Sequence, residues 1–446
     1  MTLRLHRMFR LLRLAALPAA VLAVLLWALP AAAAPNDLTN PQVNPVQADH
    51  PAPPPTDQQP AGDGDLQDGS GPDKLQDPGA ASLNRDLADE QLKGIDTEAV
   101  ESYWNRLMND YGGFFPDGKV PSFIDMVMPG GHGLKLTTVL SGLLKYVLHE
   151  VLYNGKLLVT IVILTVFSMI LETLQTAFER GSVSKIAYSI IYMVVIVLTV
   201  NSFNVAIGYA KDAIGGMIQF MVAMVPLLLT LLASTGSVVT VSVLHPLIVF
   251  MIHAVGTVIY TIVFPLLFFS AVLHIASALT DKFKVTQLAN VLRNIGVGLM
   301  GVMLTVFLGV ISVQGASGSV ADGVAMQTAK FITGNFVPVV GRTFSDAADT
   351  VMSASLLVKN SIGLAGVIIL IILCAFPALK ILMLALIYNV SAAAMQPLGD
   401  SPVTYCLQTI GKTLVYVFAA VAAVGLMFFL AVTIILAAGN AAAMIR

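Results

Sequence analysis

The feature that most constrains this chain is a series of long apolar segments in its second part. Residues 214–233 contain no charged side chain, and residues 411–438 contain only Lys412. A run of about twenty apolar residues can cross the hydrocarbon layer of a bilayer as one α-helix. Because backbone polar groups need internal partners in lipid, such segments fold as helices. The sequence predicts an all-α integral membrane protein, a polytopic helical bundle of about seven to ten membrane segments.

Composition supports this class. Hydrophobic residues make up 57% of the chain and charged residues 11%, whereas about a quarter of an average soluble domain is charged. The formal net charge of −2 gives no basis for binding nucleic acid. Cys374 and Cys406 provide neither a disulfide framework nor the spacing of a metal site. We therefore predict no cofactor and no metal ligand.

An internal duplication is indicated by the prolines. Pro226 and Pro338 lie 112 positions apart, and so do Pro265 and Pro377. The first pair follows valine in both copies and the second follows phenylalanine. Apolar segments can match by chance, but two prolines in one register favour a module written twice, with the four prolines as helix breaks. The predicted repeats are residues 214–313 and residues 327–438.

The first 34 residues have the parts of an export signal. A basic start precedes an apolar core at residues 14–29, which is short for a full span. Ala33 and Ala34 end two small-residue cleavage sites, and the alternative to cleavage is a retained signal anchor. Residues 35–94 then predict a disordered, acidic, proline-rich linker outside the cytoplasm. The basic residues of the signal are Arg4, Arg7, Arg10 and Arg13.

Residues 95–155 predict extracytoplasmic amphipathic helices. One helical face carries Val100, Tyr103, Trp104, Leu107 and Met108, and Gly112-Gly113 ends that run. A second amphipathic stretch covers residues 134–152 and suits the membrane–water interface, with Trp104 and Tyr153 as anchors. Packing against the other spans is compatible with this. The predicted apolar face of the second stretch is Leu136, Leu140, Leu143, Val147 and Val151.

The orientation follows from the basic loops. Residues 156–213 predict the first two transmembrane helices, and three further crossings lead to residues 281–293. That loop carries Lys282, Lys284 and Arg293. An outside start and five crossings place it in the cytoplasm, as the positive-inside rule requires.

The second repeat differs from the first by its charges. Arg342, Asp346, Asp349 and Lys359 lie where the first copy carries no charge. Charge at membrane depth is costly unless it is paired or lines a wet cavity, so it usually has a function. We interpret this stretch as a re-entrant or water-lined hairpin that carries the functional charges. The alternative is an extracytoplasmic loop.

Catalytic motifs are absent from the sequence. His149-Glu150 is not followed by a second histidine at the zinc-protease spacing. His245, His253 and His274 lie in apolar segments, where a proton relay or metal site is possible, but structural hydrogen-bonded histidines are the favoured interpretation. We therefore predict that the protein is not an enzyme.

Several charged and proline-containing runs form a more specific pattern. They are Phe336-Val337-Pro338-Val339-Val340-Gly341, Ser345-Asp346-Ala347, Ser355-Leu356-Leu357-Val358-Lys359-Asn360, Phe376-Pro377-Ala378-Leu379-Lys380 and Gln396-Pro397-Leu398-Gly399-Asp400. With Leu148-His149-Glu150 and Asn154-Gly155-Lys156, they resemble the stage III sporulation protein AE family over about residues 100–439.

The resemblance implies a function that composition alone does not indicate. Proteins of this family are polytopic components of a secretion-like channel between mother cell and forespore, needed for late forespore development. The implied location is the mother-cell membrane around the forespore. The implied partners are the other stage III A membrane proteins, including an ATPase, and the forespore-side Q protein. A stand-alone secondary transporter for a small solute is the alternative, because repeats and intramembrane charges are also typical of transporters.

Overall fold

A computed structural model describes residues 87, 90, 94–115, 121–128, 136–177, 182–279, 284–336, 341–399 and 401–444. These residues form helices joined by short turns, without strands among them. The helices belong to one unit, Ser82–Arg446. The predicted signal peptide, with Ala33 and Ala34, and the predicted linker up to residue 86 lie outside the described residues, so both stay predictions.

The first helix, α1 (Glu98–Tyr111), buries most of the face that its sequence predicts, with Tyr103 and Met108 half-buried. Val100, Trp104 and Leu107 are almost fully buried, and a 3₁₀ turn (Gly112–Phe114) follows. Trp104 Nε1 donates a hydrogen bond to the Pro121 carbonyl at 3.1 Å, just before α2 (Phe123–Val127). The prediction of Trp104 as a membrane-surface anchor is therefore wrong, because its ring is 1% exposed and serves as core.

The second amphipathic stretch is helix α3 (Leu136–Tyr153), and α4 (Gly155–Ala177) continues after one turn residue. The side of α3 that packs on the protein carries Gly142, Tyr146 and Glu150, not the predicted apolar face. Leucines instead form an exposed row with a four-residue spacing, which places them on one side of the helix. These leucines are Leu140, Leu144, Leu148 and Leu152.

Two very long helical rods follow. Helix α5 (Ser182–Ser234) has 53 residues, about 80 Å at 1.5 Å per residue. A tight turn, in which Gly236 has φ of 84°, leads back into α6 (Val238–Val258). A five-residue π segment, Ile259–Val263, connects α6 directly to α7 (Phe264–Leu279).

Three long helices complete the chain. They are α8 (Thr286–Phe336), α9 (Gly341–Met395) and, after the 3₁₀ turn Gln396–Leu398, α10 (Pro402–Met444). Helix α10 lies at the centre and packs against α5, α7, α8 and α9. The C-terminal ends of α7 and α9 lie at one end of the bundle, which we call the lower end. The C-terminal ends of α5 and α8 lie at the opposite, upper end.

Within its described residues the chain has six helices that are long and apolar enough to cross a membrane. It is therefore a multi-pass helical membrane protein, as predicted. The count is lower than the predicted seven to ten because neighbouring segments are fused. Hydropathy predicts separate segments at residues 186–208 and 214–233, but both belong to α5. The same holds for the predicted segments at residues 346–367 and 366–394, which both belong to α9.

The predicted hairpin in the second repeat also needs correction. At the repeat offset, the turn after α5 corresponds to residues 346–349, but these residues lie inside α9. The chain therefore does not fold back at that point. The end of α8 and the continuous beginning of α9 make up the predicted hairpin instead. The duplication itself stays a prediction, since the fold does not test it.

Candidate functional site within the helical bundle

The aromatic side chain before Pro377 is the centre of a cluster that joins α9 to the N-terminal helices. Phe376 is fully buried. The Tyr111 ring stacks on it with centroids 4.2 Å apart, and the Tyr146 ring meets it edge-on at 4.8 Å. Proline has no N–H group, so Pro377 leaves the carbonyl of the preceding turn without its usual helical partner. The cluster packs around the turn of α9 that lacks this hydrogen bond.

Two further phenylalanines close the cluster from the 3₁₀ turn. The Phe114 and Phe115 rings lie 6.4 Å and 6.3 Å from the Phe376 ring. Gly142 of α3 makes this approach possible, since a Cβ atom there would lie 3.1 Å from the Phe115 ring. The end of α1, the beginning of α3 and the middle of α9 are therefore packed as one aromatic unit.

A buried carboxylate borders this cluster. Glu150 is 4% exposed, and Asn154 Nδ2 donates a hydrogen bond to Glu150 Oε1 at 2.8 Å. Burial, followed by the charges of Asp110 and Glu150, raises the pKa of Tyr111 to about 12. Tyr111 is therefore a neutral phenol at physiological pH.

One turn after Phe376, a lysine makes a cation–π contact. Lys380 Nζ lies 4.1 Å from the centroid of the Tyr209 ring on α5. Such contacts contribute about 0.5–1 kcal/mol at exposed sites and about 2 kcal/mol or more when desolvated. The Phe376–Lys380 turn thus contacts α1, α3 and α5 within a short length of α9.

Lys359 is the one of the four predicted functional charges whose surroundings the structure describes, and it is fully buried. Its Nζ donates hydrogen bonds to the Leu436 carbonyl at 3.1 Å and to Asn440 Oδ1 at 3.2 Å, both on α10. A Cβ atom at Gly439 would clash with that Nζ. The glycine therefore makes room for the ammonium group near the end of α10, where the helix dipole favours a cation.

The other predicted charges do not share this environment. Arg342, Asp346 and Asp349 lie within the first turns of α9, and their side chains fall outside the described part of the chain. Lys359 is 17 residues beyond Arg342, about 25 Å along the helix axis. The structure therefore does not bring the four charges together, and the role of the first three stays a prediction.

The predicted helix breaks also differ from one another. Pro226 and Pro377 lie inside continuous helices. Neither proline breaks its helix, in contrast to the prediction. Pro265 directly follows the π segment, in which the Phe264 N–H reaches the Ile259 carbonyl. A π turn before proline relieves the clash and the lost hydrogen bond that proline causes. Pro338 lies outside the described residues.

Comparison with known proteins identifies the family. The family model for "Stage III sporulation protein AE" matches residues 119–439. A stage III sporulation protein AE from Bacillus subtilis (strain 168) is 51% identical over 366 residues, which are 82% of this chain and 92% of that relative. The chain belongs to the stage III sporulation protein AE family. No solved structure matches it.

The stage III sporulation protein AE match covers most of the site. Tyr146, Lys359 and Phe376 lie inside the matched range, whereas Tyr111 and Phe114 precede it. The family is one of sporulation proteins, and the six apolar helices make this member a multi-pass membrane protein.

One buried charge was missed by sequence reasoning. Asp322 of α8 is 3% exposed and accepts hydrogen bonds from the N–H groups of Val239 at 2.8 Å and Thr240 at 3.0 Å. It therefore caps the start of α6 from a different helix, which a local capping pattern cannot indicate. In the sequence, only its isolation could have indicated a role for Asp322, which is a single acidic residue in a long stretch of α8 that is otherwise uncharged.

The three histidines of the apolar segments lie in different surroundings. His274 is buried, with Nδ1 2.8 Å from the Ser270 carbonyl and Nε2 3.3 Å from Asn290 Oδ1. His245 and His253 are exposed. Among the described residues, no group of three or more His, Cys, Asp or Glu is placed to hold a metal ion.

Proposed function

We propose that this protein is a non-enzymatic, multi-pass subunit of a secretion-like channel between mother cell and forespore. The channel is needed for late forespore development during endospore formation, and the protein lies in the mother-cell membrane around the forespore. The observation that carries this proposal is the family match over residues 119–439, supported by 51% identity to the Bacillus subtilis relative.

The arrangement of buried charges supports a working subunit over an inert anchor. Lys359 is fully buried between α9 and α10, and Lys380 lies against Tyr209. An ionisable residue buried among apolar helices is costly, and it often marks a functional site. A simple membrane anchor has no need of them.

Partners are part of the proposal. We propose contacts with the other stage III A membrane proteins, including an ATPase, and with the forespore-side Q protein. This chain would contribute membrane helices and bind no cofactor itself. Affinity purification from sporulating cells in mild detergent tests this, and recovery of the protein without other membrane subunits would count against it.

The deciding experiment is deletion of the gene in the source organism, followed by membrane-dye microscopy and a late forespore reporter. We expect arrest after complete engulfment, with a silent and collapsing forespore. Complementation with Arg342→Ala or Asp346→Ala should fail although the protein level is normal. Normal spores in the deletion strain would remove the channel proposal, and normal sporulation of both variants would remove the role of these two charges.

A stand-alone secondary transporter is the second candidate. The two proline pairs in one register favour it, since internal repeats are typical of transporters. Vesicles that contain only this protein would then accumulate or release a small solute. Absence of transport, together with stable co-purification with other subunits, would exclude this candidate.

A further inference from the structure

The apolar helices are about twice as long as a bilayer requires. The apolar parts of α5, α9 and α10 comprise 43, 46 and 40 residues, or about 60–69 Å of helix. The hydrocarbon layer is about 30 Å thick. A helix of this length would need a tilt of about 60° to fit, whereas membrane helices tilt by about 0–40°. Lipid therefore cannot cover the whole height of the bundle.

A belt of exposed polar side chains crosses the bundle near mid-height. It consists of Lys145 and His149 on α3 and of Lys211 and Asp212 on α5. Three contacts tie these helices, α9 and the α6–α7 rod at one level. They are Tyr146 with Phe376, Lys380 with Tyr209, and the Tyr260 hydroxyl donating to the Lys211 carbonyl at 2.9 Å. We call the parts on either side the lower half and the upper half.

Helix α4 identifies the lower half as the part suited to lipid. It runs from the belt towards the lower end, and its 23 residues span about 35 Å. Only four of residues 155–170 are buried, and the others are half-buried or exposed. A helix so poorly covered by protein needs lipid around it. Its exposed row is Val159, Ile163, Phe167 and Ile170.

Helix α1 identifies the upper half as the part outside lipid. Its exposed side carries Glu98, Arg106 and Asp110, and such charges are not stable in hydrocarbon. Yet Tyr103 of α1 packs edge-on against Phe220 at 5.6 Å. Phe220 lies nine residues, or about 14 Å, above Lys211 along α5. Water must therefore reach this level of the bundle.

We propose that the bilayer surrounds only the lower half, and that the upper half projects from the membrane on the side of α1. The lower half consists of two whole helices, α4 and α7, and of parts of four others. These parts are the beginnings of α5, α8 and α10 and the later part of α9. The basic residues Lys284 and Arg293 lie at its lower end, as expected for a cytoplasmic face. This inference does not depend on the channel proposal, because it concerns only which residues contact lipid.

Four exposed phenylalanines allow a direct test. Phe167 and Phe269 lie in the lower half and are 51% and 57% exposed, whereas Phe250 and Phe331 lie in the upper half and are 67% and 72% exposed. Each is replaced by tryptophan, a conservative change at an exposed position. The variants are reconstituted in vesicles with brominated or unbrominated acyl chains, and the fluorescence of the parent protein is subtracted because Trp104 contributes to it.

We expect brominated lipid to reduce the fluorescence of Phe167→Trp and Phe269→Trp about twofold or more, because their indoles would contact acyl chains. Phe250→Trp and Phe331→Trp should keep their fluorescence in brominated lipid and lose it to aqueous iodide. Equal quenching of all four by brominated lipid would overturn the proposal. Quenching of the upper pair alone would overturn it as well, since it would place the other half in the bilayer.

Discussion

At the residue scale, the aromatic cluster around Pro377 gives the clearest stability prediction. Phe376→Ala removes a fully buried ring that contacts Tyr111 and Tyr146. Truncation of a buried aromatic residue costs about 3–5 kcal/mol, so the thermal unfolding temperature in detergent should fall clearly. Phe269→Ala is the matched control, because its ring is 57% exposed. Equal unfolding temperatures for the two variants would contradict the packing role of the cluster.

A substitution at Lys359 is expected to affect function without affecting stability. Lys359→Met keeps most of the side-chain length and removes a buried charge, whose lost hydration opposes the hydrogen bonds that its removal breaks. We expect the unfolding free energy to change by no more than about 1 kcal/mol and the yield of heat-resistant spores to fall. Lys156→Met changes an exposed lysine and should alter neither. Normal spore yield with Lys359→Met would show that the buried charge is dispensable.

The residues of the site differ in how far the sequence reveals them. Lys359 and Phe376 are recognisable from charge and proline patterns in an apolar context. Their partners on α10 and α1 are not, because contacts between helices far apart in sequence depend on the relative rotation of the helices. Asp322 caps α6 across 82 residues of chain, so no local pattern contains that information.

At the element scale, the packing of α9 on α10 depends on glycine. A Cβ atom at Gly425 would clash with Cys374 Sγ, and one at Gly363 would clash with Leu436. Small residues let membrane helices approach closely. Gly425→Leu should therefore cost about 1–3 kcal/mol, as overpacking usually does, and should lower the unfolding temperature.

Gly301→Leu provides the control for this prediction. Gly301 lies on the exposed side of α8, with open space where its Cβ would be. Leucine is also the better helix former by nearly 1 kcal/mol, so stability should hold or rise. If Gly301→Leu destabilised the protein as much as Gly425→Leu, the effect would come from the helices themselves and not from the α9–α10 contact.

The existence of helices, the turn after α5 and the buried face of α1 were predictable from periodicity and glycine. The length of the helices was not. Hydropathy divides a long rod into pieces of bilayer length wherever a polar residue occurs, as at Lys211 and Asp212 in α5. In the structure these residues stay helical, because the backbone hydrogen bonds of a helix continue regardless of which side chains project outwards.

At the scale of the whole molecule, the long helices change how an apolar surface is interpreted. In our proposal, the exposed apolar side chains of the lower half contact lipid. Those of the upper half contact either water or another protein. Large exposed apolar patches outside lipid usually mark interaction sites. The upper half of a channel subunit would then be the part that meets other subunits.

Charge substitution distinguishes the two surfaces at this scale. Phe269→Asp places a carboxylate on the lower half, where insertion into the bilayer costs about 2.5–3.5 kcal/mol at the helix centre, so the amount of protein in the membrane should fall. Phe250→Asp places the same group on the upper half, and the protein level should stay normal. Its co-purification with other membrane subunits should weaken, because a charge is then introduced into an apolar contact surface.

Quantitative immunoblots of membranes and of affinity eluates measure both the amount of protein in the membrane and its co-purification. Equal loss of both variants from the membrane would mean that lipid surrounds the upper half too.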